Sequence, residues 1–187
     1  SKNEIWRSKE ITLDNSFFYI AIIPPEEICK EIKDFQKLLS EQFDCHRSLR
    51  HIPHITLIPP FHIKQNLEVD LKNLLEEHSK NVIPFDISIE NFSHFKKHTL
   101  FAEIKFSDML AQLHFDLLNL LNNQPNFLSK PIHYFQQYNP HITLAYRDLE
   151  PNFNNVWNHF KNMKFNKKFI FNKIVLLKHN GEKWEVI

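Results

Sequence analysis

Glycine is almost missing from this chain: Gly181 is the only one among 187 residues. Loops that cradle nucleotide phosphates need several glycines so that backbone N–H groups can approach the anion, and neither a Walker loop nor a dinucleotide fingerprint can be written here. ATP-driven and nicotinamide-dependent chemistry are therefore set aside. Cysteine is scarce as well. Cys29 and Cys45 cannot frame a disulfide scaffold, no CxxC or Cys/His zinc spacing occurs, and both thiols are expected in the interior. Neither sign of charge is in excess, since 23 Lys and Arg face 22 Asp and Glu for a net charge of +1. No broad field attracts long nucleic acid, so a phosphate-bearing ligand has to be held by local groups. A run of about 18 apolar residues, the length a membrane span needs, is also lacking. Ser1-Lys2-Asn3-Glu4 opens no secretory leader, and a cytoplasmic location is expected.

What is present is an ordinary globular composition, 42% hydrophobic and 24% charged, with phenylalanine high at 18. Such a chain can bury a sizeable core. One pentapeptide occurs twice: Pro53-His54-Ile55-Thr56-Leu57 returns as Pro140-His141-Ile142-Thr143-Leu144. Proline suits the first position of a strand, and Ile, Thr and Leu favour an extended chain. Side chains alternate along a strand, so each copy sets one imidazole and one hydroxyl on a single face, with Ile and Leu on the other.

The surroundings repeat in the same order. Ser16 to Ile23 reads as a strand, stopped by Pro24-Pro25. A helix follows from Glu26 to about Phe43, with apolar spacing through Ile28, Ile32, Phe35 and Leu39. The first motif strand ends at Pro59-Pro60; a helix on Leu67, Leu71 and Leu75 and a strand from Pro84 to Phe92 come next. In the second half, Thr99 to Lys105 is a strand and Ser107-Asp108 caps a helix running to Leu121. The second motif strand and a helix from Phe153 to Phe160 follow. Phe169 to Lys178 and Lys183 to Ile187 read as two strands joined across Asn180-Gly181. The pattern is an internal duplication, with lobe-forming repeats over roughly 16–92 and 99–187 of a single domain, too few for a solenoid.

Two imidazoles facing each other across a groove can work as general acid and general base near neutral pH. The two threonine hydroxyls can donate hydrogen bonds to non-bridging phosphate oxygens. That set suits phosphoester cleavage or transfer without a metal or a covalent intermediate. A zinc reading of His46, His51, His54 and His62 fits poorly, because His51 and His54, three apart, would point to opposite faces of a strand.

On the two His-x-Thr-hydrophobic motifs, together with the strands Phe17-Phe18-Tyr19-Ile20-Ala21 and Leu100-Phe101-Ala102-Glu103-Ile104, the chain resembles the 2H phosphoesterase superfamily. That superfamily includes the 2′-5′ RNA ligases and 2′,3′-cyclic phosphodiesterases. The resemblance implies an α+β, bilobal, duplicated fold with two antiparallel sheets and flanking helices around a central cleft. It further implies metal-independent action, with no cofactor, at 2′,3′-cyclic phosphates or 2′-5′ linkages of RNA ends or small nucleotides. A monomer working away from any membrane is expected. By the same resemblance His54 and His141 form the acid/base pair, His141 being the base that activates water and His54 the acid, and Thr56 and Thr143 bind phosphate. Arg147, six residues beyond His141, would share its face on an uninterrupted strand and clamp phosphate. Phe61 and Tyr19 are candidates to stack on a base. The alternative is a non-catalytic RNA-end or nucleotide-binding module with the same cleft.

Overall fold

The computed structural model describes residues 15–134 and 137–187; the opening Ser1 to Glu4 lies outside them. β1 (Asn15–Ile22) alternates as a strand should, with Phe18, Ile20 and Ile22 in the main core and Tyr19 and Ala21 in a smaller cluster on the other face. α1 (Glu26–Phe43) starts after Pro25, carries Glu26 and Glu27 in its first turn, and buries Ile28, Ile32, Gln36 and Leu39. The acids sit at the positive end of the helix dipole. Asp44, left-handed at φ 60°, closes it. A short 3₁₀ turn (Arg47–Arg50) leads to β2 (Ile55–Lys64).

Then come α2 (Glu68–Ser79), β3 (Phe85–Phe95), β4 (Thr99–Ile104) and α3 (Asp108–Asn122). The Ser107 side chain caps α3 by accepting from the Leu110 N–H. β5 (His141–Tyr146), α4 (Phe153–Phe160), β6 (Asn166–Phe171), β7 (Val175–His179) and β8 (Trp184–Val186) complete the chain. The β7–β8 hairpin turns where Asn180-Gly181 requires it, Gly181 having a φ of +99° that a side chain would resist.

The strands form one antiparallel sheet in the order β6-β3-β4-β5-β2-β1-β7-β8. The two sheets expected from the sequence are thus joined, and they meet at a single pair, Ile55↔Ile142. Phe171 and Val175 are four residues apart, a reach of at most about 14 Å. Yet β6 and β7 are six strand spacings apart, about 29 Å if the sheet were flat. The sheet therefore curls strongly, and its two halves stand at an angle. The α-helices all contribute side chains to one core cluster on one face of the sheet.

Three expectations change. The prolines at 59 and 60 do not end β2, because a register shift between Ile58 and Phe61 absorbs them without asking either for a ladder donor. The stretch from Phe169 to Lys178 is two strands rather than one. β6 pairs with β3 and β7 with β1, so the chain changes sheet halves between them. Nor do the sheet halves follow the sequence repeats. The tight Phe95–Thr99 hairpin pairs β3 with β4 and carries it into the second half, while β7 and β8 return to the first.

Candidate active site

The geometry begins at Ile55↔Ile142. Both side chains are fully buried on the helix-covered face. In an antiparallel ladder the residues flanking a pair also face one another. This register sets His54 opposite Thr143 and Thr56 opposite His141, all four on the uncovered face and all partly buried. The duplicated pentapeptide is thereby folded about a local twofold, with the imidazoles on one diagonal and the hydroxyls on the other.

Each imidazole is pinned in the same manner. His54 Nδ1 lies 2.7 Å from the Ile52 carbonyl and His141 Nδ1 2.8 Å from the Asn139 carbonyl, in each case across the intervening proline. A carbonyl oxygen can only accept, so Nδ1 carries the hydrogen and Nε2 is left as the working nitrogen. Burial pushes the pKa of His54 down. Its backbone hydrogen bond opposes that, and the like charges of His51 and His141 lower it further. Burial also lowers His141, again against its backbone hydrogen bond. The two rings are close enough to repel one another when both are charged. Tyr19 lies against His54 at 5.1 Å between ring centroids, and Phe95 and Phe101 lie against His141 at 5.0 Å.

Beneath the motifs the two halves brace each other crosswise. Gln36, on the helix of the first half, donates through Nε2 to the Thr143 carbonyl at 3.1 Å. His114, on the helix of the second half, donates through Nδ1 to the Leu57 carbonyl at 2.6 Å. Tyr138, stacked on His114 at 4.1 Å, donates its hydroxyl to the Thr56 carbonyl at 2.6 Å.

A model of the 2′-5′ RNA ligase superfamily matches residues 24–183. The chain belongs to that superfamily. Among solved structures it is similar to TT0787 of Thermus thermophilus, with a TM-score of 0.63 and 17% identity over 91% of this chain and 94% of that one. It is also similar to E. coli LigT complexed with 3′-AMP, with a TM-score of 0.62 and 14% identity over 93% and 95%. LigT in its apo form gives a TM-score of 0.61 at 14% identity over the same shares. At these identities the likeness is one of fold. No curated protein matches the sequence.

Within this superfamily member the remaining candidates are placed as follows. Tyr19 is beside His54 but 6% exposed, and burial pushes its hydroxyl up to about 12, so it does not exchange protons near neutral pH. Phe61 cannot stack on a ligand: it is 4% exposed, opposite Phe18 on the core face. It shares the parity of Ile55 and Leu57, which also face the core. Arg147 is not on the catalytic face of an unbroken strand either. β5 ends at Tyr146 after a register shift between Leu100 and Phe101, and Arg147 turns away at φ 71° with its guanidinium 5.1 Å from the Tyr146 ring. Among the described residues no three His, Cys, Asp or Glu side chains gather as a metal site.

Sequence reasoning missed several neighbours. His51 acts on His54 through space. Its backbone carbonyl, with that of Leu49, accepts from Lys33 at 2.6 and 2.7 Å, which ties the loop before the first motif to α1. Glu103 stands opposite His141 across β4–β5. Gln36 and His114 had a legible signal, since each is a polar residue inside the apolar stripe of its helix.

Proposed function

We propose that the chain is a metal-independent phosphoesterase acting on 2′,3′-cyclic phosphates or 2′-5′ phosphodiester linkages of RNA ends or small nucleotides. The observation that carries this reading is the Ile55↔Ile142 register with both imidazoles pinned through Nδ1. That arrangement supports a site in which two Nε2 atoms and two hydroxyls act on one phosphorus centre. In hydrolysis of a cyclic phosphate, Nε2 of one histidine takes a proton from water as its oxygen attacks phosphorus. Nε2–H of the other gives a proton to the departing ribose oxygen as the P–O bond breaks. The hydroxyls of Thr56 and Thr143 donate to the non-bridging oxygens, where charge builds in the transition state.

One imidazole serves as the base and the other as the acid, and the repulsion between the two rings favours the pair that carries a single proton. Transfer in the ligation direction exchanges the roles. His54→Ala and His141→Ala are each expected to lower turnover of a 2′,3′-cyclic nucleotide by roughly 10²–10⁴-fold, with circular dichroism unchanged and chelator present. Full activity in either variant would end the reading. Tight binding of the cyclic nucleotide by the unaltered protein with no product would favour a binding module instead.

A further inference from the structure

The face of the sheet that carries the histidines is paved with rings on the β2-β1-β7-β8 side. One row crosses four strands. Trp184 on β8 stands opposite His179 on β7. The β1–β7 register brings Phe17 next, its ring 6.3 Å from that of His179. Phe17 pairs with His62 on β2, the rings stacked at 4.3 Å and 12°. Tyr19 links the row to the catalytic pair, 4.7 Å from Trp184 on one side and 5.1 Å from His54 on the other. The small apolar cluster under these rings contains strand residues and Ile23, with no helix side chain in it among the described residues. Trp184, Phe17 and His62 are each only partly buried, so ring surface remains open to solvent.

On the opposite wing Phe95 and Phe101 lie against His141, and an exposed carboxylate, Glu103, stands opposite it, so a chain leaving on that side passes a negative charge at the site's edge. A chain leaving past His54 instead meets the row of rings. Base–aromatic stacking tolerates any base, because every base has a π-face.

We infer that the Trp184–Phe17 row is a stacking shelf for the nucleobase next to the reactive nucleotide, so that the preferred ligand is a single-stranded RNA end rather than a free mononucleotide. The inference rests on the proposed function for the position of the reactive phosphate.

The test compares kcat/KM for a dinucleotide ending in a 2′,3′-cyclic phosphate with that for the matching cyclic mononucleotide. The dinucleotide is expected to be better by about tenfold, the scale of one stacked base. Trp184→Ala should bring the ratio near one, and Trp184→Phe, which keeps a ring, should retain most of it. Equal values in the unaltered protein, or a ratio that survives Trp184→Ala, would overturn the shelf. If neither substrate is turned over, the proposed function fails instead. The shelf is then decided by quenching of tryptophan fluorescence with a 3′-phosphorylated dinucleotide against the mononucleotide: tighter binding of the dinucleotide, lost in Trp184→Ala, supports it, and equal affinity overturns it.

Discussion

The Tyr138 hydroxyl donates to the Thr56 carbonyl across 2.6 Å, tying the approach to the second motif to the backbone of the first. β2 and β5 pair directly only at Ile55↔Ile142, so this bond is a second fastening of the gap between the histidines. Tyr138→Phe keeps the stack on His114 and loses the bond, leaving a carbonyl short of a donor at about 1–2 kcal/mol. Turnover is expected to fall by about tenfold, the change that roughly 1.4 kcal/mol makes in a barrier. A purely structural role would leave the pH profile alone. A widened gap should instead raise the pKa of His54, because the repulsion from His141 weakens. An unmoved pH profile of kcat/KM would deny the fastening role.

The pH profile of the unaltered protein follows from the same two groups. In the proposed hydrolysis one of His54 and His141 is neutral and the other protonated. Both pKa values lie below the ordinary histidine value of 6.5. The bell of kcat/KM, which reports the free protein, should then peak on the acid side of 6.5 and fall as pH rises through the lowered value of the acid. The two limbs belong to the coupled pair rather than to either ring alone. In kcat the limbs should move upward, since a bound phosphate favours the charged imidazoles. A kcat/KM optimum above pH 7.5 would contradict this.

Stability should lean the other way. His54, His114 and His141 all have folded pKa values below 6.5. Between those values and 6.5 the unfolded chain binds more protons, so stability is fully present above 6.5 and is lost as pH falls through the folded values. The urea midpoint should drop between pH 7 and pH 5. A midpoint that holds or rises over that interval would show that these rings are not held neutral by the fold.

Gln36 offers a sharper test of the crosswise bracing. Its Nε2 serves the Thr143 carbonyl, while Oε1 is buried with no hydrogen-bond partner among the described residues. Gln36→Leu loses a bond but also an unsatisfied oxygen, so its cost should stay near about 1 kcal/mol. Gln36→Glu puts a carboxylate against a carbonyl in the interior and should cost several times that at pH 7. Part of the loss should return on acidification, when the protonated acid can donate. Equal costs for the two variants at pH 7 would refute the arrangement.

How far the sequence carries the structure depends on the range of the interaction concerned. The two motif strands, the α1 and α3 stripes, the Ser107 cap and the Asn180-Gly181 turn are set by residues a few positions apart, and each is where the periodicity puts it. Side-chain direction within an unbroken strand was legible in the same way, which is why His54, Thr56, His141 and Thr143 end on one face. Arg147 departs from the expected face because parity survives only as far as the first bulge, and bulges depend on the partner strand, whereas Phe61 keeps the parity of Ile55 and Leu57 and is in the core. The pairing of β3 with β4, the bracing by Tyr138 and the ring row ending at Trp184 depend on contacts between distant segments, which no local pattern encodes.

Phe61 closes the comparison between a ring that packs and a ring that binds. Opposite Phe18 in the main core and 4% exposed, it cannot reach a ligand without opening the sheet. Phe61→Ala should cost about 3–5 kcal/mol through lost burial and the cavity left behind. That is a large share of the roughly 5–15 kcal/mol by which a domain is usually stable, so the urea midpoint should fall steeply. At a temperature where the variant stays folded, the dinucleotide-to-mononucleotide ratio should match that of the unaltered protein, because the shelf is on the other face. A normal midpoint with a lost preference would mean that the faces of β2 are assigned the wrong way round, and the placement of His54 and Thr56 on the cleft side would fall with it.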